Sequence, residues 1–202
     1  MKKLSIISMI VGCLAAMCLT SCNDSDAPKV LTPEEVQSAF MTVKGDYTGD
    51  LVYEKKTDKD VTPVKPELDT LKISWQIDTD STLTIKAFPT KLLAERITDK
   101  ALSEALAAQA DVDLKCYIGF YSLNPVAFII NPVAPSYNVN YNDKEHKVQV
   151  AFYVNSSFSY GAYNSNKKQI QMQIVEAAIY VDGKYEKKML DKGIPFVLSA
   201  KK

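Results

Sequence analysis

The sequence predicts a mainly β domain of the α+β class: an antiparallel curved meander or open barrel, with two helical segments covering one face or end. A two-sheet β-sandwich is the alternative. Three observations carry this. From residue 114 onward the chain is an almost unbroken succession of strand-like segments separated by short turns, which makes antiparallel pairing the default. Residues 71–77 alternate strictly, with Leu71, Ile73, Trp75 and Ile77 on one face and Lys72, Ser74 and Gln76 on the other, the signature of a half-buried strand. Helix-forming composition is confined to the stretch after Thr32 and to residues 90–109.

Taken in order, Lys2 and Lys3 precede sixteen nearly all apolar or small residues, 4–19, the profile of a cleaved export signal over residues 1–21. Such a run falls short of the ~20 residues that span a bilayer as a permanent helix. Leu19-Thr20-Ser21-Cys22 resembles the bacterial lipobox. The resemblance implies that Cys22 is lipidated and becomes the first mature residue; two or three acyl chains there make a stable membrane anchor. The alternative is an ordinary secretory signal with a chance cysteine at its cleavage site. Residues 22–30 read as a tether, and Asn23-Asp24-Ser25-Asp26 is similar to the acidic stretch of many surface lipoproteins of gut Bacteroidetes. That likeness implies the outer membrane, with the cell surface favoured over the periplasmic face.

Residues 31–202 then form one β-rich domain. Without residues 1–21, 181 residues remain with 22 basic and 24 acidic side chains, net −2. This is enough chain to bury roughly 70% of its unfolded surface, and nothing in the balance points to nucleic acid. Of four cysteines, only Cys116 falls inside the domain, so a disulfide framework is excluded. Cys116 shares strand spacing with Leu114, Ile118 and Phe120 and reads as a buried, inert thiol.

Thr32-Pro33-Glu34-Glu35 is a helix start, with a capping Thr, Pro at the first helical position and Glu three residues after the cap. Val36, Phe40 and Val43 share a face, Lys44 sits in the last turn, and Gly45 stands at the C-terminal cap. This short helix is expected to plug or cap the domain. Gly45-Asp46-Tyr47-Thr48-Gly49 opens the first strand and resembles the Gly-x-Tyr-x-Gly opening of calycin and lipocalin-like barrels, as well as that of many small Bacteroidetes lipoproteins of unassigned function. Residues 54–69 read as an exposed, charged connection.

Asp78-Thr79-Asp80-Ser81 turns the chain into a partner strand carrying Leu83, Ile85 and Ala87, and Pro89 ends that hairpin. Leu93, Ile97 and Ala101, then Leu102 and Leu106, follow i,i+4 spacing, so one long helix or two short ones breaking near Thr98-Asp99 covers the sheet. Strands follow at 114–121, 126–131, 136–141, 147–154, 168–181, 185–190 and 194–200, with Asp182-Gly183 as a hairpin turn.

The search for chemistry returns mostly absences. There is no nucleophile elbow, no His-Glu-x-x-His, no phosphate-cradling loop and no Cys or His cluster at ligand spacing. His146, the one histidine, reads as a solvated turn residue. Asp78-Thr79-Asp80 reads as a turn and not a calcium loop, because calcium takes six or more oxygens. No cofactor and no enzymatic activity is expected. Glu176 is the most unusual acid, between Val175 and Ala177. Placed on the face of Ile170, Met172, Ile174, Ala178 and Tyr180, it is a buried functional acid if that face is core, and an ordinary strand charge if it faces lumen or solvent.

Residues 155–166 mix aromatics with Ser, Asn and Gly, the composition of recognition loops. Phe158, Tyr160, Tyr163 and Asn164 are the candidate ligand-binding residues; the plainer reading is a hairpin loop whose aromatics fold back on the barrel end. The expectation is a lipid-anchored envelope domain that binds a glycan or a small apolar ligand. A structural accessory docking to a surface protein partner is the alternative, with a carboxylate hydrolase third.

Overall fold

The computed structural model describes residues 30–56, 66–190 and 192–202. Leu31–Lys202 forms one compact unit; of the other, Met1–Val30, only Val30 is described. Cys22, the signal peptide and the tether before Val30 therefore lie outside the described residues.

The first helix, α1 (Pro33–Val43), starts with the expected reciprocal cap. Glu35 N–H donates to Thr32 Oγ1 at 3.3 Å, and Thr32 N–H donates to Glu35 Oε2 at 2.9 Å. These bonds satisfy two amides that a helix start leaves unpaired. Lys44 N–H closes the other end on Phe40 O at 2.7 Å, and Gly45, at φ +138°, turns the chain into β1.

Among the described residues eleven strands follow, interrupted by two helices: β1 (Gly45–Glu54), β2 (Leu68–Ile77), β3 (Thr82–Phe88), α2 (Thr90–Ala94), α3 (Lys100–Ala107), β4 (Val112–Leu123), β5 (Val126–Pro132), β6 (Ser136–Tyr141), β7 (Lys144–Phe152), β8 (Tyr160–Asn164), β9 (Gln169–Val181), β10 (Lys184–Tyr185) and β11 (Ile194–Lys201). The predicted helical region resolves into its two-helix form. The chain breaks before Asp99, whose carboxylate accepts Leu102 N–H at 3.0 Å and caps α3.

Hydrogen bonding runs β11-β1-β2-β3-β4-β5-β8-β9, and β9 pairs back to β11, so eight antiparallel strands close a barrel. Closure leaves no exposed edge in the ring and decides for the barrel over the sandwich. The β6–β7 hairpin leaves the ring after β5 and pairs instead with the second half of β9, residues 176–181. Helix α1 ends at the start of β1 yet lies against β4 and β5, on the far side of the ring. It therefore crosses one end of the barrel as a plug, while α3 packs on β6 at the other.

Two strand expectations are corrected. Residues 160–164, read as loop, form β8, because the small residues Gly161 and Ala162 let this short strand fit closely between β5 and β9. Residues 185–190, read as strand, contribute only the last residue of β10 before the chain turns, with Met189 N–H bonded back to Glu186 O.

The interior is filled. Leu51, Trp75, Leu83, Ile85, Phe128, Ile130, Ile170, Ile174, Phe196 and Leu198 are all buried. Tyr47 stacks on Trp75 with ring centroids 5.5 Å apart and donates its hydroxyl to Val43 O at 2.5 Å, which ties the barrel wall to its plug. Burial pushes the Tyr47 phenol up to about 12. Cys116 lies in this core, and desolvation raises its thiol far above the range where a thiolate forms.

Candidate functional site

The outer face near the end of β5 carries a group of exposed aromatics: Tyr117, Tyr153 and Phe158. After β7 the chain turns outward through residues 153–159 and re-enters the barrel as β8. Asn155 holds the turn at φ 49°, a left-handed geometry that asparagine tolerates. Its N–H donates to Asn131 Oδ1 at 2.7 Å, and Asn131 Nδ2 donates back to Asn155 Oδ1 at 2.8 Å.

Further bonds fix the rest of the loop. Phe158 N–H donates to Ser156 Oγ at 3.3 Å, Gln173 Nε2 donates to Phe158 O at 2.9 Å, and Ile130 N–H donates to Ser159 O at 3.0 Å. Val175 N–H donates to the buried Ser159 hydroxyl at 3.3 Å. Against this frame the Tyr153 and Phe158 rings sit 4.9 Å apart, at 41° to each other. They remain 39% and 54% exposed, and Val154 beside them 47%. Tyr117, 62% exposed, is the register partner of Asn131 on β4 and shares its outward face. Large exposed apolar groups held rigidly around amides lose little freedom on binding.

The residues singled out in the sequence are dispersed by the pleat of β8. Phe158 stands in the exposed group. Tyr160 points to the outer face but is buried against the barrel wall, whereas Tyr163 points inward and packs on the core. Asn164 sits at the far end of the strand, where its side chain accepts Lys167 N–H at 3.0 Å. Tyr153, Asn131 and Tyr117 are additions from the structure. Asn131 sits beside Pro132 at a strand end, and nothing in its local sequence announces a partner 24 residues away.

Two further expectations change. His146 is a strand residue of β7, not a solvated turn: its Nδ1 lies 2.9 Å from Asp182 Oδ2 and its ring is 4.5 Å from that of Tyr141. The Lys147 amide first, and His146 second, hold the Asp182 carboxyl below its usual range. Glu176 is wholly buried rather than an ordinary strand charge. Neither carboxyl oxygen has a hydrogen-bond partner among the described residues, and burial raises its pKa well above the usual carboxylate range.

Nor does Glu176 share a face with Ala178 and Tyr180. Opposite β7 the register slips between Ala151, which faces Ala178, and Phe152, which faces Glu176. The extra residue, Ala177, reverses the inward set. Below the slip Ile170, Met172, Ile174 and Glu176 face the core; above it Ile179 and Val181 do.

A concavity of about 370 Å³ opens at the barrel mouth between the ends of β1 and β2 and helix α2. Tyr53, Leu71, Pro89 and Leu92 line it, with Lys55, Lys56, Lys91 and Glu95 around them. The Asp78-Thr79-Asp80 turn satisfies itself, Thr82 Oγ1 donating to Asp78 Oδ1 at 2.8 Å. Among the described residues no three His, Cys, Asp or Glu side chains converge as metal ligands, and no helix is long and apolar enough to cross a membrane.

A family model described as a domain of unknown function (DUF4840) matches residues 42–181. The match runs from the last turn of α1 through β9, and so covers the plug contact and both concave and aromatic surfaces. No curated protein matches the chain, and no solved structure does.

Proposed function

The chain belongs to the DUF4840 family, and from that premise we propose that it is a binding domain of the bacterial cell envelope, lipid-anchored at Cys22 in the outer membrane and facing the cell surface, which recognises a glycan through its outer aromatic group and catalyses no reaction. The observation that carries this reading is the Tyr153–Phe158 ring pair. It is exposed yet held in place by a hydrogen-bonded loop, beside the Asn131–Asn155 amide pair and Tyr117. Sugar rings offer apolar C–H faces that stack on aromatics and hydroxyls that pair with amides.

A ligand inside the barrel is disfavoured because the lumen is packed with side chains. The groups a reaction would call on are committed elsewhere: Cys116 is buried, His146 is paired with Asp182, and Glu176 is closed off from solvent. A carboxylate hydrolase needs two acids flanking a substrate cleft, and Glu176 faces none.

Lipidation is tested by metabolic labelling with an alkyne fatty acid: label is expected on the wild-type chain and none on Cys22→Ser. Recognition is tested on a glycan array with the purified chain, where saturable binding to a subset of structures supports the reading and uniform silence removes it.

Docking of an extended protein segment is a second reading, favoured by β6. This strand ends the sheet, pairs only with β7, and carries no charge or proline in Ser136–Tyr141, the features that normally guard an edge. Crosslinking from a photoreactive residue at Asn138 to a single surface protein would favour it over glycan recognition.

A further inference from the structure

We propose that the cleft at the barrel mouth is a second binding site, one that takes a small amphipathic anion: a molecule with an apolar body and a single carboxylate, sulfonate or phosphate. This stands independently of recognition by the outer aromatic group.

The floor follows from where the packed core stops. Leu51 and Ile73, the inward residues one step deeper on β1 and β2, are 0% and 5% exposed. Tyr53 and Leu71, the next inward residues toward the mouth, are only partly buried, and Pro89 and Leu92 close the surface from the α2 side. Apolar surface is thus left uncovered in a concavity of about 370 Å³, within the ~300–1,000 Å³ range of small-molecule sites.

The rim supplies the charge. Three lysines face one glutamate. Lys55 is committed to Glu67 at 3.2 Å and Asp69 at 3.5 Å. Lys56 and Lys91 pair with no carboxylate among the described residues. Glu95 is held in place by Lys56 N–H, which donates to its Oε1 at 3.1 Å. Two lysines at the rim, neither paired with a carboxylate among the described residues, beside an apolar floor match an anion with a greasy body. A bare ion would make no use of the floor, and a neutral apolar molecule would make no use of the rim.

The test uses the purified full chain and two probes with the same aromatic skeleton. 8-Anilinonaphthalene-1-sulfonate carries the anion, and N-phenyl-1-naphthylamine lacks it. Variants are Lys56→Glu with Lys91→Glu, Glu95→Gln, and Lys144→Glu at the exposed start of β7 as control. The sulfonate is expected to fill one saturable site, to bind about tenfold more weakly to the double lysine variant, and to bind about threefold more tightly to Glu95→Gln, the scale of one charged contact. Lys144→Glu should leave it unchanged, and the neutral probe should respond to none of these changes. Sulfonate binding that is unsaturable, that ignores both charge variants, or that changes in parallel with the neutral probe overturns the proposal. Should the double variant fail to fold, Glu95→Gln alone decides, because it keeps the acceptor for Lys56 N–H while removing the charge.

Discussion

The far end of the Phe128 ring lies over Gly161, its cross-strand partner in the β5–β8 pairing. A Cβ built on Gly161 would stand 2.3 Å from Phe128 Cζ. The ring occupies the space a side chain would need, so the core wall is closed by an aromatic folded across a bare backbone. Gly161→Ala is therefore expected to destabilise the barrel by about 1–3 kcal/mol through overpacking, and Phe128→Ala by about 3–5 kcal/mol through a cavity. Combined, the two should cost less than their sum, because each alanine relieves the defect of the other. Urea unfolding of the four chains of this cycle measures it.

Gly49 marks a second close approach, here between β1 and β11. A Cβ there would meet Ser199 O at 2.1 Å and Ala200 Cβ at 2.8 Å. Backbone cannot yield as a ring can, so Gly49→Ala is expected to cost about 2 kcal/mol or more and to loosen the β1–β11 seam. Hydrogen exchange at the seam amides, against those of β4, checks that the damage is local.

Glu176 sets a pH dependence. Its pKa is raised in the folded chain above the ordinary 4.5 by desolvation. The folded state therefore holds this proton more tightly than the unfolded one. The stabilisation is complete below pH 4.5 and is lost as pH rises toward the folded value, at up to about 1.4 kcal/mol per pH unit for one proton. Tyr137, whose hydroxyl lies 3.2 Å from Thr90 Oγ1, is the nearby titratable group on β6, and Asp111 adds its charge at Tyr137. Glu176→Gln should flatten this part of the stability profile; an unchanged slope would place the proton elsewhere.

Much of this architecture was legible in the sequence because it rests on local rules. The Thr32 cap is written in four residues, and the alternation of Leu71, Ile73, Trp75 and Ile77 fixes an inward face. The break before Asp99 follows from the same kind of cap. What was not legible depends on long-range register. The slip at Ala177 reverses every inward assignment after Glu176, and it is visible only when β7 is laid against β9. β8 was hidden because its composition is that of a loop; only the pairing with β5 and β9 makes it a strand. The same pleat separates Tyr160 from Tyr163, so of the aromatics read as one recognition group only Phe158 remains exposed, joined by Tyr153 from the other side of the turn.

The Asn131–Asn155 pair is the brace of the aromatic group. Asn131→Ala removes both bonds at once and is expected to cost about 1–2 kcal/mol while freeing the turn. The Tyr153 and Phe158 rings should then lose their mutual contact, read as lost inter-ring nuclear Overhauser effects, with the barrel's own pattern of contacts intact.

The most direct test of recognition at this face compares glycan-array binding of the purified chain with that of Phe158→Ala and Tyr153→Ala, using Tyr185→Ala as an exposed aromatic control on β10. Each loop variant is expected to weaken binding by about tenfold, the worth of one stacking ring, while Tyr185→Ala binds as the wild type does. Binding that survives both loop substitutions undiminished would contradict glycan recognition through the Tyr153–Phe158 pair.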